Sequence, residues 1–362
     1  MRTNLRRGWT TGACATAAAS AAMIGYYTGH VPAKVRIKLP GGQMPTFQIA
    51  KSRIALPLSQ ASVIKDAGDD PDVTHGCEVE VTLSKLEDGA GLHFRAGAGV
   101  GIVTRKGLPL CVGEAAINPG PRAQIQHNLQ ALAERYGSAA DFTVTISIPD
   151  GAILAQKTWN RRLGIVGGLS ILGTTGIVIP YSCAAWIHSI YRGIDVARAN
   201  QIDHLGAATG STSQSWLQRE LDMSEDRILD VGDFVGAMAK YLTRNPVQKL
   251  SLAGGMAKIS KLAQGAGNLH SSQCQLDFTR IQEWADHVFP EHPTMRQRLA
   301  KAETAFECYQ LAGQPLGDYV ATLARNQLQE RIKACISVDI YMIGRTGELV
   351  GKSGESKPGT AA

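Results

Sequence analysis

The chain has 362 residues, 44% hydrophobic and 19% charged, a composition that excludes a disordered polymer and a length that exceeds what one core usually organises. Lys and Arg number 37 against 31 Asp and Glu, giving +6 spread along the chain, so no basic stripe for nucleic acid is expected while an acidic small molecule is admitted. No apolar stretch is long enough to span a membrane, and seven widely spaced cysteines without a C-x-x-C pair read as reduced thiols of a cytoplasmic protein.

The alanine-rich stretch after Arg2, Arg6 and Arg7 is too rich in small residues, and too often interrupted by Thr and Ser, to be a secretion signal. Thr10 and Thr11 instead cap a helix through Tyr27. VRIKL at 35–39 and EVEVTL at 78–83 alternate apolar and polar residues, predicting an antiparallel or mixed sheet with one wet face. Between them, KDAGDDPDVTHG at 65–76 gathers Asp66, Asp69, Asp70 and Asp72 around Gly68 and Pro71. Carboxylates this close raise one another's pKa, which makes Asp66, Asp69 or Asp70 a candidate proton acceptor. An Asx-rich turn is the plain alternative, and the spacing of an EF-hand calcium loop is missing.

The glycine-rich stretch GAGVGIVTRKGLPLCVGEAAINPGPR at 97–122 carries Arg105, Lys106, Glu114, Asn118 and Arg122, and long structured loops of this kind are usually functional. Pro121 opens a helix to about Tyr136, and FTVTISI at 142–148 returns as a strand. These elements predict an N-terminal α+β two-layer domain over 1–148.

Over 149–350, strand-like runs (LGIVGGLSIL, RILDV, KLSLAG, SVDIYMI) alternate with helical patterns, which predicts a C-terminal α/β domain with a mainly parallel sheet. Residues 275–333 read as helical, broken at Pro290, Pro293 and Gly313, and 351–362 as a disordered tail. Within this half Lys157, Thr158, Asn160, Arg161 and Arg162 stand close together, a cluster suited either to carboxylates or to a solvated turn. Gly167, Gly168 and the Gly173-Thr174-Thr175-Gly176 turn follow, exposing backbone to a ligand or serving tight packing. Gly254 and Gly255 repeat the theme ahead of a helix bearing Lys258 and Lys261. No dinucleotide or Walker phosphate loop, H-E-x-x-H pair or G-x-S-x-G elbow occurs, and no metal site is expected. A small-molecule kinase and a non-catalytic pigment carrier stay open beside a group-transfer enzyme.

Four blocks, GWTTGACATAAASAA (8–22), KDAGDDPDVTHG, GVGIVTRKGLPLCVGEAAINPGPR and KTWNRRLGIVGGLSILGTTGIV, resemble the signature blocks of the CbiD family in order and register, and similarity extends to about residue 271. That family comprises the cobalt-precorrin-5B C(1)-methyltransferases of the oxygen-independent cobalamin route. The resemblance implies two α/β domains and S-adenosylmethionine as methyl donor. It also implies an anionic tetrapyrrole substrate that carries the cobalt, leaves homo-oligomerisation open and gives no role to nucleic acid or membrane. On it, Gly167, Gly168, Gly173 to Gly176, Gly254 and Gly255 would hold the donor. Thr10, Thr11, Arg105, Lys106, Glu114, Asn118, Arg122, Lys157, Asn160, Arg161 and Arg162 would meet the substrate. The chain departs from the family pattern at WNRR, where a proline often follows the Asn, and at GGMAKISK, where a Gly-His pair is common.

Overall fold

A computed structural model describes residues 5–299 and 301–353. The chain divides into two compact units, 1–182 and 183–362.

The first unit comprises β1 (Gly8–Trp9), α1 (Thr11–Thr28), β2 (Lys34–Arg36), β3 (Thr46–Gln48), β4 (Lys51–Ala55), β5 (Leu58–Ile64), β6 (Glu78–Lys85), β7 (Leu92–Ala96), β8 (Ile102–Val103), α2 (Pro119–Arg135), β9 (Phe142–Ser147), α3 (Gly151–Ala155), β10 (Ile165–Val166) and β11 (Ile177–Val178). Its main sheet runs β4-β5-β6-β9-β7, antiparallel except for the parallel β7–β9 pair. The alternation in β6 buries Val79, Val81 and Leu83 on one face. Against β5, β6 and α2 lies α1, buried on nearly every side, which is why it is built of alanine. Two of its interior polar positions return their hydroxyls to the helix itself, Thr16 Oγ1 to the Gly12 carbonyl and Ser20 Oγ to the Thr16 carbonyl, both at 2.8 Å. Gly29, in the left-handed region, ends the helix.

The run LGIVGGLSIL does not enter a parallel sheet as expected. Only Ile165–Val166 form a strand, antiparallel to β8, while Leu169 and Ile171 bridge to Val100 and Ile117. Ile165, Leu169 and Ile171 are buried within the first unit, so the division falls between Ser182 and Cys183, not at 148/149.

The second unit contains α4 (Cys183–Ala199), β12 (His204–Ala208), α5 (Ser211–Glu220), β13 (Ile228–Asp230), α6 (Val235–Arg244), β14 (Lys249–Gly255), α7 (Met256–Ala263), α8 (Phe278–Val288), α9 (Pro293–Leu299), α10 (Ala305–Ile332), β15 (Ser337–Ile343) and β16 (Leu349–Lys352). The sheet order is β13-β12-β14-β15-β16, parallel throughout except for β16. Gly313 (φ 64°, ψ −159°), two residues before Pro315, kinks α10. Gly351 and Lys352, expected in the tail, pair with β15, and the remainder of that tail from 354 lies outside the described residues.

Candidate active site

In the first unit the long glycine loops cross at one point. The Gly99 carbonyl accepts from Leu169 N at 2.9 Å and the Leu169 carbonyl accepts from Gly101 N at 2.9 Å. A Cβ on Gly168 or on Gly151 would run into the Gly99 backbone. Gly168 is therefore needed for close passage of chain against chain, which corrects the expectation that it faces a donor. Gly167 differs, being exposed, with open space where a Cβ would stand.

The crossing gathers cations that lie far apart in sequence. Gly164 sits in the left-handed region under the aliphatic stem of Arg105, its carbonyl accepting from Thr104 N (2.7 Å) and Thr104 Oγ1 (2.8 Å) and its N–H donating to the Arg161 carbonyl (3.1 Å). Arg105 and Lys106 thus stand beside the turn that carries Arg161 and Arg162, with Lys157 just upstream. Lys106, Lys157 and Arg161 are exposed and the other two half-buried.

Other expected contact residues are committed to holding this edge together. Thr10 Oγ1 caps α1 at Ala13 N (3.1 Å), and Thr11 Oγ1 accepts from Leu172 N (3.1 Å) and donates to its carbonyl (3.3 Å). Both threonines are buried and fasten the 172–176 turn to the helix. A Cβ on Gly173 would strike Thr10, and one on Gly176 would strike Leu39. Arg122 donates through Nε to the Ile117 carbonyl (2.7 Å), through Nη2 to the Ala115 carbonyl (3.3 Å) and through Nη1 to Glu114 (3.3 Å), while Glu114 also accepts from Cys111 N (2.9 Å). Asn118 Nδ2 donates to the Ile171 carbonyl (3.2 Å), and buried Asn160 donates to the Gly168 carbonyl (3.2 Å). Thr10, Thr11, Glu114, Asn118, Arg122 and Asn160 are hence supports of the edge. Thr174 and Thr175 remain exposed, Thr174 beside Gly120 at the start of α2.

The acidic loop is likewise occupied. Asp66 is held bidentately by the Arg6 guanidinium, with Nη2 at 2.9 Å from Oδ1, and accepts from Gly68 N at 2.9 Å. The Arg6 hydrogen bonds, followed by the Gly68 N–H, push its pKa down to about 2, the opposite of the mutual elevation expected, so Asp66 is a poor proton acceptor. Asp69 accepts from Arg6 N (2.6 Å) and Asp70 from Tyr181 N (2.8 Å). Because the Asp66 pKa is depressed from 3.8, its contribution to stability is complete above about pH 4 and is lost as pH falls towards about 2. Arg6→Met should flatten that segment of the stability curve, measured by urea unfolding at a series of acid pH values. Equal slopes for parent and variant would contradict the assignment.

In the second unit the neighbouring strands β12 and β14 send their connections in opposite directions, β12 to β13 on one side and β14 to β15 on the other, which makes their carboxyl ends a topological switch point. Thr209–Gly210 follow β12 there, and Gly254–Gly255 end β14. Thr209 is buried, with its Oγ1 turned to Gly254, 3.0 Å from where a Cβ would stand. Gly210 and Gly255 have open space at that position. Lys258 Nζ ties the surrounding loops together, donating to the Thr209 carbonyl (2.7 Å) and pairing with Asp233 Oδ1 (3.0 Å). Thr209, Gly210 and Asp233 escaped the sequence reading, although the T-G-S at 209–211 closing an apolar run carried the signal.

Among the described residues no group of three or more His, Cys, Asp and Glu could hold a metal ion, and no helix is long and apolar enough to cross a membrane. A mixed-sheet unit with a cationic edge and a mainly parallel unit with an open switch point define a two-unit α/β protein suited to anionic ligands. The chain belongs to the CbiD family: the CbiD family model matches residues 1–180. Cobalt-precorrin-5B C(1)-methyltransferases from Paramagnetospirillum magneticum and Halorhodospira halophila are each 48% identical, over 96% and 97% of this chain and 98% and 95% of their own length. The Brucella anthropi protein of the same name is 47% identical over 97% of this chain and 96% of its own. A crystal structure of the cobalamin biosynthesis protein (cbiD) from Archaeoglobus fulgidus aligns with 26% identity and a TM-score of 0.40, covering 70% of this chain and 77% of that one.

Proposed function

We propose that this chain methylates ring carbon 1 of cobalt-precorrin-5B to give cobalt-precorrin-6A, with S-adenosylmethionine as donor, in the cytoplasm, as a step of anaerobic cobalamin biosynthesis. The observation that carries this reading is 48% identity, over 96% of the chain, to a relative bearing that enzyme name.

The cation edge of the first unit suits the substrate. A corrinoid precursor carries acetate and propionate arms, and Arg105, Lys106, Lys157, Arg161 and Arg162 meet them with charge-assisted hydrogen bonds, about 0.2 to 1 kcal/mol each where the cation is exposed and up to about 1.5 to 3 kcal/mol where it is half-buried. Thr174 and Thr175 add exposed hydroxyls, and Gly167 exposed backbone, in the same unit. The donor fits the switch point of the second unit, where Gly210 and Gly255 leave a cradle that any Cβ would fill. Thr209 Oγ1 and the backbone of Gly254 and Gly255 would hold it there, inside loops fixed by Lys258. When bound, the donor supplies a methyl group on a sulfonium, an already activated leaving group. The chain's own task is orientation, which contributes about 7 to 11 kcal/mol without a covalent residue.

Anaerobic incubation with cobalt-precorrin-5B and methyl-labelled S-adenosylmethionine should place label at ring carbon 1, and unlabelled corrinoid with intact protein would overturn the reading. Arg105→Gln combined with Arg161→Gln should raise the corrinoid KM about tenfold or more with little change in kcat, since the contacts are equal in ground and transition states. An unchanged KM would assign these cations to the solvated surface.

A further inference from the structure

A cleft of about 640 Å³ lies in the second unit along one face of α6 and the last turns of α10. Its lining includes Lys240 and Arg244 from α6, and Arg331, Lys333 and one acid, Glu330, from α10 and its end, so four cations face one carboxylate. Among the described residues Lys240, Arg244 and Lys333 form no ion pair.

Arg331 shows that the cleft is built. Its Nη2 donates to the Gly265 carbonyl, and its own carbonyl accepts from Thr243 Oγ1 at 3.4 Å. The guanidinium rests on Gly267, where a Cβ would come within 2.9 Å of Nη1, and Gly267 in turn packs on Gly236. Its Nε is buried without a hydrogen-bond partner. Cations at helix C-termini complement the helix dipole; Arg244 ends α6 and Arg331 lies in the last turn of α10. That explains one cation per helix; Lys240 lies a turn earlier and Lys333 beyond the end.

We propose that this cleft binds the carboxylate arms of a tetrapyrrole, as an anion site additional to the cation edge of the first unit. The inference rests on the reading that the substrate is a corrinoid precursor. Compact phosphates are held by clusters of free backbone N–H groups, whereas in this cleft the Gly236 N–H at the start of α6 is already bonded to the Gly267 carbonyl (2.7 Å) and charge is offered only through long, separated side chains. Carboxylates spaced around a ring match that arrangement. No aromatic side chain lines the cleft for a base to stack on.

The test titrates the full chain with two probes, uroporphyrin as a stable tetrapyrrole polycarboxylate and inorganic tripolyphosphate. The parent is compared with a Lys240→Gln, Arg244→Gln, Lys333→Gln triple variant and with the Arg105→Gln, Arg161→Gln double variant. Thermal unfolding checks that each retains its fold. The parent should bind uroporphyrin in two classes of site; the triple variant should weaken one class about tenfold or more and the double variant the other. Parent-like uroporphyrin binding by a folded triple variant overturns the proposal, as does loss of tripolyphosphate binding alone, which would assign the cleft to phosphate. Binding is read without methyl donor or turnover, so failed methyl transfer leaves this result intact and bears only on the function.

Discussion

Asp72→Asn should lower the stability of the first unit by about 3 to 5 kcal/mol, the cost of leaving a buried charge without its partner. The Lys65 side chain is 1% exposed, and its Nζ lies 2.6 Å from Asp72 Oδ2. Among the described residues no other carboxylate forms an ion pair with Lys65. Burial pushes the Cys14 thiol up to about 12 and the Cys77 thiol up to about 11, so both stay neutral, and Asp66 is already bound to Arg6. Burial alone would raise Asp72, but the Lys65 ammonium and the Thr74 hydrogen bonds outweigh it and hold the carboxyl below its usual range. With the pKa depressed, the stabilisation is fully present above the unfolded value and is lost only as pH falls through the lower, folded one. Asparagine keeps an oxygen for Thr74 N and Oγ1, so the substitution isolates the ion pair. Adding Lys65→Met to Asp72→Asn should recover much of the loss, because a neutral packed pair avoids the desolvation cost. Urea unfolding at pH 7 measures all three chains; an unchanged midpoint for Asp72→Asn would show that water or another group already compensates Lys65.

What could be read from sequence was local. The α1 helix follows from the Thr10 cap and the alanine run, β6 from its alternation and β15 from its apolar run. The run LGIVGGLSIL was misplaced because an apolar stretch does not disclose its partner: its residues bridge to Val100 and Ile117 and not to another strand of a parallel sheet. Charge patterning identified Arg105 and Arg161 separately, but their meeting across Gly164 is a property of the fold. Glycine was ambiguous for the same reason. Gly168 and Gly255 look alike in sequence, yet one touches a neighbouring backbone and the other faces open space. Asp66 was misjudged because Arg6, its partner, sits in a charged N-terminal stretch that carries no mark of pairing.

That ambiguity yields the second large effect. Gly99→Ala should destabilise the first unit by about 3 to 5 kcal/mol, combining a left-handed backbone with a collision that no rotamer relieves. Gly99 has φ +71°, and an added Cβ would strike the Ile148 carbonyl and lie 2.9 Å from Gly151 N. The neighbours that must yield are backbone, and they hold the crossing together: the Ile148 carbonyl accepts from Gly151 N at 2.7 Å, and the Gly99 carbonyl accepts from Leu169 N at 2.9 Å. Moving either would shift the 157–176 segment and, with it, Arg161 and Arg162. Gly113→Ala is the control, since Gly113 has φ +91° but open space at the Cβ position, leaving only a backbone penalty of about 1 to 2 kcal/mol. The difference between the two unfolding free energies measures the tightness of the crossing. If Gly99→Ala costs no more than Gly113→Ala, the loops can part without loss, and the cation edge is not fixed by the glycines beneath it.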